Sequence, residues 1–220
     1  MKVPGSSYLT ALFFMRDRLG QLLDNAAVFR YHQLRIREYG TGSAGALGWH
    51  PEGQLIRFQR LAQIGNLSHH SVLDVGCGYA DLYPFLRQRF AGVQYRGIEQ
   101  MQELLTLAKS RYRHEPAVTL IRGDFLREPL PRSDYVLASG SLNYRQRQPD
   151  FIYRAIEKLY AGCRLGLGFN LLSGEPEAEA DAPLAAYDLA AIVAFCKTLS
   201  TRVVLQEGYW NNDFTVFMYR

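Results

Sequence analysis

The feature that most constrains this chain is a ten-residue stretch in which an apolar strand runs into a turn containing two glycines. Residues 72–75 form the strand pattern, Gly76 and Gly78 stand in the turn, and Asp81 opens a helical pattern. Glycine allows a backbone to turn sharply and to approach a ligand with no Cβ in the way. The stretch therefore predicts a strand–turn–helix unit with a ligand-binding edge at its turn.

A carboxylate follows this turn at an informative distance. Glu99 stands 21 positions after Gly78, at the end of a second strand-like run over residues 93–98. A carboxylate at the tip of the next strand is typical of nucleotide-binding sheets, where it accepts the ribose hydroxyls. The third glycine of a dinucleotide fingerprint is missing, because Asp81 stands there. The pattern therefore predicts a nucleotide-containing cofactor and weakens the case for a nicotinamide.

From residue 70 onward, short apolar runs alternate with longer amphipathic runs, which favours an α/β fold with a doubly wound sheet. The predicted strands are 71–75, 94–98, 118–122, 134–139, 165–171, 202–206 and 214–219. The predicted helices are 81–90, 101–113, 151–160 and 181–200, the last with Pro183 in its first turn. Only seven residues separate the last two strands, too few for a crossover helix, so we expect a terminal antiparallel hairpin.

Residues 1–69 have a different pattern, and we predict that they form an N-terminal helical cap over a Rossmann-like core of residues 70–220. Residues 8–23 and 54–65 are the predicted helices of this cap, and residues 39–51 are a glycine-rich loop between them. The acidic segment 174–181 is expected to be a mobile loop. The two parts together predict one large core with a small appendage.

The composition excludes several classes of protein. Hydrophobic residues make up 48% of the chain and charged residues 21%, as in globular proteins. Three widely separated cysteines without a Cys-x-x-Cys pair predict neither disulfides nor a metal site, so we expect a reduced, cytoplasmic protein. The apolar run at residues 8–15 is too short to span a bilayer, so no membrane partner is expected. The sequence does not specify the oligomeric state.

The strand, the turn from Asp74 to Gly78, the acid Glu99 and the later Gly123-Asp124-Phe125 together resemble the class I S-adenosylmethionine-dependent methyltransferase superfamily. The resemblance covers residues 70–220 and extends to the terminal hairpin. The N-terminal loop, with residues 47–49, is also similar to a pattern in many bacterial members. The resemblance implies an enzyme that uses S-adenosylmethionine (SAM).

The resemblance also implies a role for each of ten residues toward this cofactor. Asp74 meets the ammonium group, Gly76 and Gly78 wrap the methionine and ribose portion, Glu99 accepts the ribose hydroxyls, Asp124 accepts from the adenine amine, Phe125 and Met101 supply apolar faces for the ring, Ser139 lies beneath the transferred methyl, Arg57 pairs with the carboxylate, and Trp49 covers the site. No catalytic residue is implied, because the cofactor itself carries the reactivity.

The acceptor is less constrained than the cofactor. Tyr144, Asn170 and Tyr187 are the predicted substrate contacts, since they follow the fourth and fifth strands at the carboxyl edge of the sheet. We expect a small-molecule acceptor methylated on oxygen, nitrogen or sulfur. Two alternatives stay open: an RNA methyltransferase, supported by the net charge of +4, and a non-catalytic partner protein that only binds the cofactor.

Overall fold

The structure is a computed structural model that describes the backbone of residues 5–174 and 183–220 and the side chains of residues 18–174 and 183–220. It contains one seven-stranded sheet in the order β3-β2-β1-β4-β5-β7-β6. The strands are β1 (Ser71–Val75), β2 (Gln94–Glu99), β3 (Val118–Arg122), β4 (Ser133–Ala138), β5 (Cys163–Leu172), β6 (Arg202–Gln206) and β7 (Asp213–Tyr219). Each lies within two residues of its predicted bounds.

Strand direction changes only at the last hairpin. β1 to β5 pair in parallel, whereas β7 pairs antiparallel with both β5 and β6. The predicted terminal antiparallel hairpin is therefore confirmed, and so is the α/β fold class. Parallel strands bring their carboxyl ends to a single edge of the sheet, and the glycine turn after β1 lies at that edge.

The helices cover both faces of the sheet. They are α1 (Gly5–Tyr39), α2 (Pro51–Leu61), α3 (Leu82–Arg87), α4 (Gln102–Arg111), α5 (Phe151–Gly162) and α6 (Leu189–Leu199). Successive strand residues point to opposite faces, so Val72 packs in the core layer that contains α2 and α3, and Leu73 packs in the layer that contains α5 and α6. Both strand side chains are fully buried.

Helix α1 is much longer than predicted. The sequence predicted a helix over residues 8–23, but α1 continues to Tyr39 and ends where Gly40 takes a φ of +79°. Residues 24–39 contain no proline or glycine that would stop a helix. Their apolar pattern is interrupted because two inward positions, Asp24 and His32, are polar and buried. The prediction was wrong because it searched for an apolar face.

Helix α6 is shorter than predicted. The sequence placed its start at residue 181, whereas the described helix begins at Leu189, capped by Asp188, whose carboxylate accepts from the Ala191 amide at 3.1 Å. Pro183 precedes the helix in an extended segment that makes single bridges from Leu184 and Tyr187. Residues 175–182, which hold most of the predicted acidic loop, lie outside the described residues. Within the described parts of the chain, no helix has the length and apolar character to cross a membrane.

Candidate active site

The carboxyl ends of β1, β2, β3 and β4 meet helix α1 around one large pocket. Its empty space, including the open mouth, is about 1080 Å³. Most predicted site residues line it: Trp49, Asp74, Gly76, Gly78, Glu99, Met101, Asp124, Phe125, Ser139 and Tyr144. Three predicted residues, Arg57, Asn170 and Tyr187, are not part of this lining.

The glycine turn is held by the neighbouring strand. Gly76 and Gly78 both adopt positive φ angles, +69° and +55°, which only glycine takes without strain. A Cβ on Gly76 would also clash with the Cβ of Ser141. The amides of Gly76 and Cys77 both donate to the carbonyl of Ile98, at 2.9 and 3.1 Å. The turn is therefore fixed against the end of β2.

Glu99 joins the ends of β1 and β2 through its carboxylate. The amides of Gly78 and Met101 donate to its two oxygens at 2.9 and 2.8 Å. Burial raises the pKa of this carboxyl, and the backbone hydrogen bonds oppose the rise. A carboxylate has about four acceptor positions, so these two bonds leave capacity for a ligand's hydroxyl groups.

Asp74 is the most buried of the pocket carboxyls, and its pKa is strongly changed. Its Oδ2 accepts from the Tyr95 hydroxyl at 2.6 Å, and only 3% of the residue is exposed. Burial raises the Asp74 pKa to about 7; the Tyr95 bond opposes the rise, and the charges of Glu99 and Asp81 add to it. A positive charge placed beside this buried carboxyl would stabilise its ionised form.

Asp124 lies where β3 approaches helix α1. Its carboxylate accepts from the Leu126 amide at 2.9 Å and from Gln21 Nε2 at 3.3 Å. Arg127 Nε lies 3.7 Å from the same carboxylate. Asp124 thus closes the turn after β3 and contacts the helical side of the pocket.

Arg57 does not contact the pocket as the sequence suggested. Its guanidinium forms a buried ion pair with Asp213 at the start of β7, with Nε–Oδ2 at 2.7 Å and Nη2–Oδ1 at 2.8 Å. The same group lies 3.9 Å from the centroid of the Trp49 ring, which packs against Gly140. The guanidinium is thus already paired with a carboxylate, and the predicted contact with a cofactor carboxylate is not supported by its position.

Asn170 and Tyr187 also take structural positions. Asn170 is fully buried within the sheet, where its Nδ2 donates to Thr215 Oγ1 at 2.6 Å. The Tyr187 hydroxyl donates to the carbonyl of Leu142 at 2.8 Å. Both were predicted as substrate contacts from their place after strands, but their polar groups point into the protein core and its loops. Only Tyr144 of the three lies at the pocket.

Helix α1 contributes pocket residues that the sequence analysis missed. Gln21, Asn25, Val28, Phe29 and His32 follow one another at helical spacing and line the pocket together. The spacing was present in the sequence, but the set mixes amide, apolar and imidazole side chains, so an apolar-periodicity search does not detect it.

Three comparisons place the chain among known proteins. Residues 72–164 match the family model described as a methyltransferase domain. A protein of Mycobacterium tuberculosis, provisionally named a methyltransferase, is 28% identical over 155 residues, which cover 67% of this chain and 92% of that protein. Trans-aconitate 2-methyltransferase of Mycolicibacterium gilvum is 28% identical over 107 residues, 48% of this chain and 40% of that protein.

A solved structure shares the fold. Magnesium protoporphyrin IX methyltransferase from Synechocystis, with bound S-adenosylhomocysteine (SAH), superposes with a TM-score of 0.62 at 17% identity, covering 84% of this chain and 93% of that one. The strand order with its antiparallel end and the domain match agree with each other. The chain thus has the Rossmann-like fold of class I methyltransferases, and its residues 72–164 match the methyltransferase domain family.

Proposed function

We propose that the chain transfers a methyl group from SAM to a small-molecule acceptor, on oxygen, nitrogen or sulfur. One observation carries the proposal. The described residues that line the pocket include four carboxyls, from Asp74, Asp81, Glu99 and Asp124. The same described lining contains no lysine and no arginine. Such a lining suits a ligand that brings positive charge and hydrogen-bond donors.

The donor set of SAM matches these acceptors. When bound, the cofactor supplies an activated methyl group on a sulfonium, and it also carries an ammonium group, two ribose hydroxyls and an adenine amine. We assign Asp74 to the ammonium group, Glu99 to the hydroxyls and Asp124 to the amine, as charge-assisted hydrogen bonds. Gly76 and Gly78 give the ligand access to the backbone of the turn.

Four further lining residues complete the proposed site. All four line the pocket. We assign Met101 and Phe125 to the faces of the adenine ring, Trp49 to the cover of the site, and Ser139, which follows β4, to the neighbourhood of the methyl group. The protein then acts by aligning the acceptor and excluding water.

The pocket favours some acceptors over others. Polyanions need cationic partners, so the carboxyl-rich lining disfavours an RNA acceptor. It also disfavours a polycarboxylate such as trans-aconitate, which is named for the relative from Mycolicibacterium gilvum. The proposed cytoplasmic location agrees with the three free cysteines, which are buried: Cys77, Cys163 and Cys196. Both sequence relatives are bacterial, which supports a bacterial source.

Two measurements test the proposal. Calorimetry with SAH should show one binding site, and SAM labelled with tritium in its methyl group should transfer label to a metabolite extract but not to total RNA. Label in the RNA fraction alone would overturn the small-molecule acceptor. Absence of SAH binding would overturn the cofactor site itself.

A further inference from the structure

Two titratable side chains meet in the pocket from opposite parts of the chain. His32 comes from α1 and Tyr144 from the loop after β4, and both line the pocket. His32 Nε2 lies 2.7 Å from the Tyr144 hydroxyl, and His32 Nδ1 lies 3.1 Å from the carbonyl of Ala46. The two ring nitrogens therefore both have partners.

The partners fix the direction of these hydrogen bonds. A carbonyl only accepts, so Nδ1 of His32 carries the hydrogen that bonds to Ala46. In the neutral imidazole, Nε2 is then an acceptor, and the Tyr144 hydroxyl donates to it. The Tyr144 hydroxyl hydrogen lies in this bond, so the Tyr144 oxygen has its lone pairs free to accept a hydrogen bond from a donor in the pocket.

We propose that Tyr144 and His32 form a proton relay that deprotonates a neutral phenolic acceptor during methyl transfer. The proposal rests on the methyltransferase function given above. Tyr144 is the catalytic residue that touches the acceptor, and His32 is a positioning residue that receives the proton through it.

The step balances in atoms and charge. The phenol oxygen forms a bond to the methyl carbon, the carbon–sulfur bond breaks, and its electron pair stays on sulfur. The phenol proton passes to the Tyr144 oxygen while the Tyr144 proton passes to His32 Nε2. One positive charge enters on the sulfonium and one leaves on the imidazolium, and the products are a methyl ether and a thioether.

A phenol suits this relay better than other acceptors. Its oxygen holds a proton about as tightly as tyrosine does, with a pKa of about 10, so the transfer between two phenolic oxygens is nearly balanced. A carboxylate acceptor arrives deprotonated and needs no relay. The pocket also offers aromatic surface for such a ring, from Phe29, Trp49, Phe58 and Phe151.

The surroundings keep both groups neutral before reaction. Burial lowers the pKa of His32, with Arg35 acting in the same direction and the Ala46 bond opposing it. Burial raises the pKa of Tyr144, with Tyr31 and Glu99 adding to the rise and Arg57 opposing it. His32 is thus ready to accept at neutral pH, and a free Tyr144 phenolate does not accumulate.

The catalytic test uses phenol, catechol and 1-naphthol as probes with methyl-tritiated SAM, and trans-aconitate as the anionic comparison. Wild type should label the phenols, and Tyr144→Phe should lower kcat about 100-fold with little change in KM. His32→Gln should lower kcat and, with SAM saturating so that Asp74 does not contribute, remove the fall of kcat expected for wild type at acidic pH, where His32 becomes protonated. Tyr187→Phe, the same change at a half-buried tyrosine outside the pocket, is the matched control and should keep wild-type rates.

Two further readouts do not depend on turnover. Nitrogen NMR of histidine-labelled protein should show His32 protonated on Nδ1, with an Nε2 signal that shifts in Tyr144→Phe. SAH affinity should be the same in wild type and both variants. An Nε2-protonated His32, phenols left unlabelled by a protein that binds SAH, or a Tyr144→Phe variant with full activity would each overturn the relay. Loss of SAH binding in wild type would instead overturn the proposed function.

Discussion

The two sides of the pocket are held by different kinds of interaction. On the sheet side, the acceptor group of Glu99 is fixed by backbone amides, and the turn after β1 is bonded to the carbonyl of Ile98. On the helical side, α1 is joined to the rest of the site by side-chain contacts, among them Gln21 with Asp124 and His32 with Tyr144. The first kind depends on neighbouring strands, and the second on single side chains far apart in sequence.

This difference has a consequence for stability. Ladder hydrogen bonds form and break together with the whole sheet, whereas the side-chain contacts of the described part of α1, residues 18–39, can open locally. Helix α1 also leaves large apolar side chains exposed, including Leu19, Leu22 and Leu34. We therefore expect the cofactor side of the pocket to be rigid and the helical side to open locally, a pattern that suits entry of a ligand.

The largest expected effect comes from the buried ion pair that joins the N-terminal helix α2 to strand β7 of the sheet. Asp213→Ala should lower the free energy of unfolding by about 3–5 kcal/mol, because it leaves the Arg57 charge buried without this partner. Chemical denaturation measures this loss.

Asp150→Ala is the control, since it removes an exposed pair with Arg154 and should cost well under 1 kcal/mol. Equal losses in the two variants would mean that the Arg57–Asp213 pair does not hold α2 to the sheet.

The next effect tests the sheet side alone. Glu99→Ala should weaken SAH binding by about 1.5–3 kcal/mol, the value of hydrogen bonds to a charged group, or roughly 10- to 150-fold in affinity. Calorimetry with Glu103→Ala, a change at an exposed carboxylate four residues further on in α4, provides the control. Unchanged affinity in Glu99→Ala would remove this residue from the site.

The same contrast explains what the sequence predicted and what it did not. The strand–turn–acid pattern around Gly76 and Glu99 is local, so the order of residues alone indicates it, and the strands lie within two residues of their predicted bounds. The partner of Arg57 is 156 residues away, and nothing in the local sequence indicates that Asp213 neutralises it. The extent of α1 was missed for a related reason. Its inward face is polar, and only its contacts with Tyr144 and Asp124, which are distant in sequence, explain why polar residues stand there.

A smaller effect concerns the pH dependence of binding. Asp74 has its pKa raised to about 7, so it is largely protonated at pH 6 and largely ionised at pH 8. A ligand with an ammonium group favours the ionised form, so SAH should bind about tenfold more tightly at pH 8 than at pH 6, with release of a proton. Isothermal calorimetry in buffers of different ionisation enthalpy measures both quantities.

Asp74→Asn is the control for this dependence, because it cannot ionise and should bind SAH equally at both pH values. The sign for unfolding is opposite to that for binding. A raised carboxyl pKa gives stability that is fully present below the ordinary value of 3.8 and is lost as the pH rises through about 7. A wild-type affinity that falls between pH 6 and pH 8 would contradict the assignment of Asp74 to a cationic group.

The smallest effect isolates the helical side. Asp24 is buried on α1, and its carboxylate accepts from the backbone amide of Arg147 at 2.9 Å and from the Arg147 guanidinium. Asp24→Asn keeps an acceptor but removes the charge, so it should lower the opening free energy of α1 amides by about 1 kcal/mol, the usual difference between a charged and a neutral hydrogen bond. Native-state hydrogen exchange measures this residue by residue, with exposed Arg37→Lys on the same helix as the control.

Because α1 is attached by side chains, the Asp24→Asn change should leave the amides of β1, β2 and β4 unaffected. Faster exchange across the sheet as well would mean that the two sides of the pocket open as one unit.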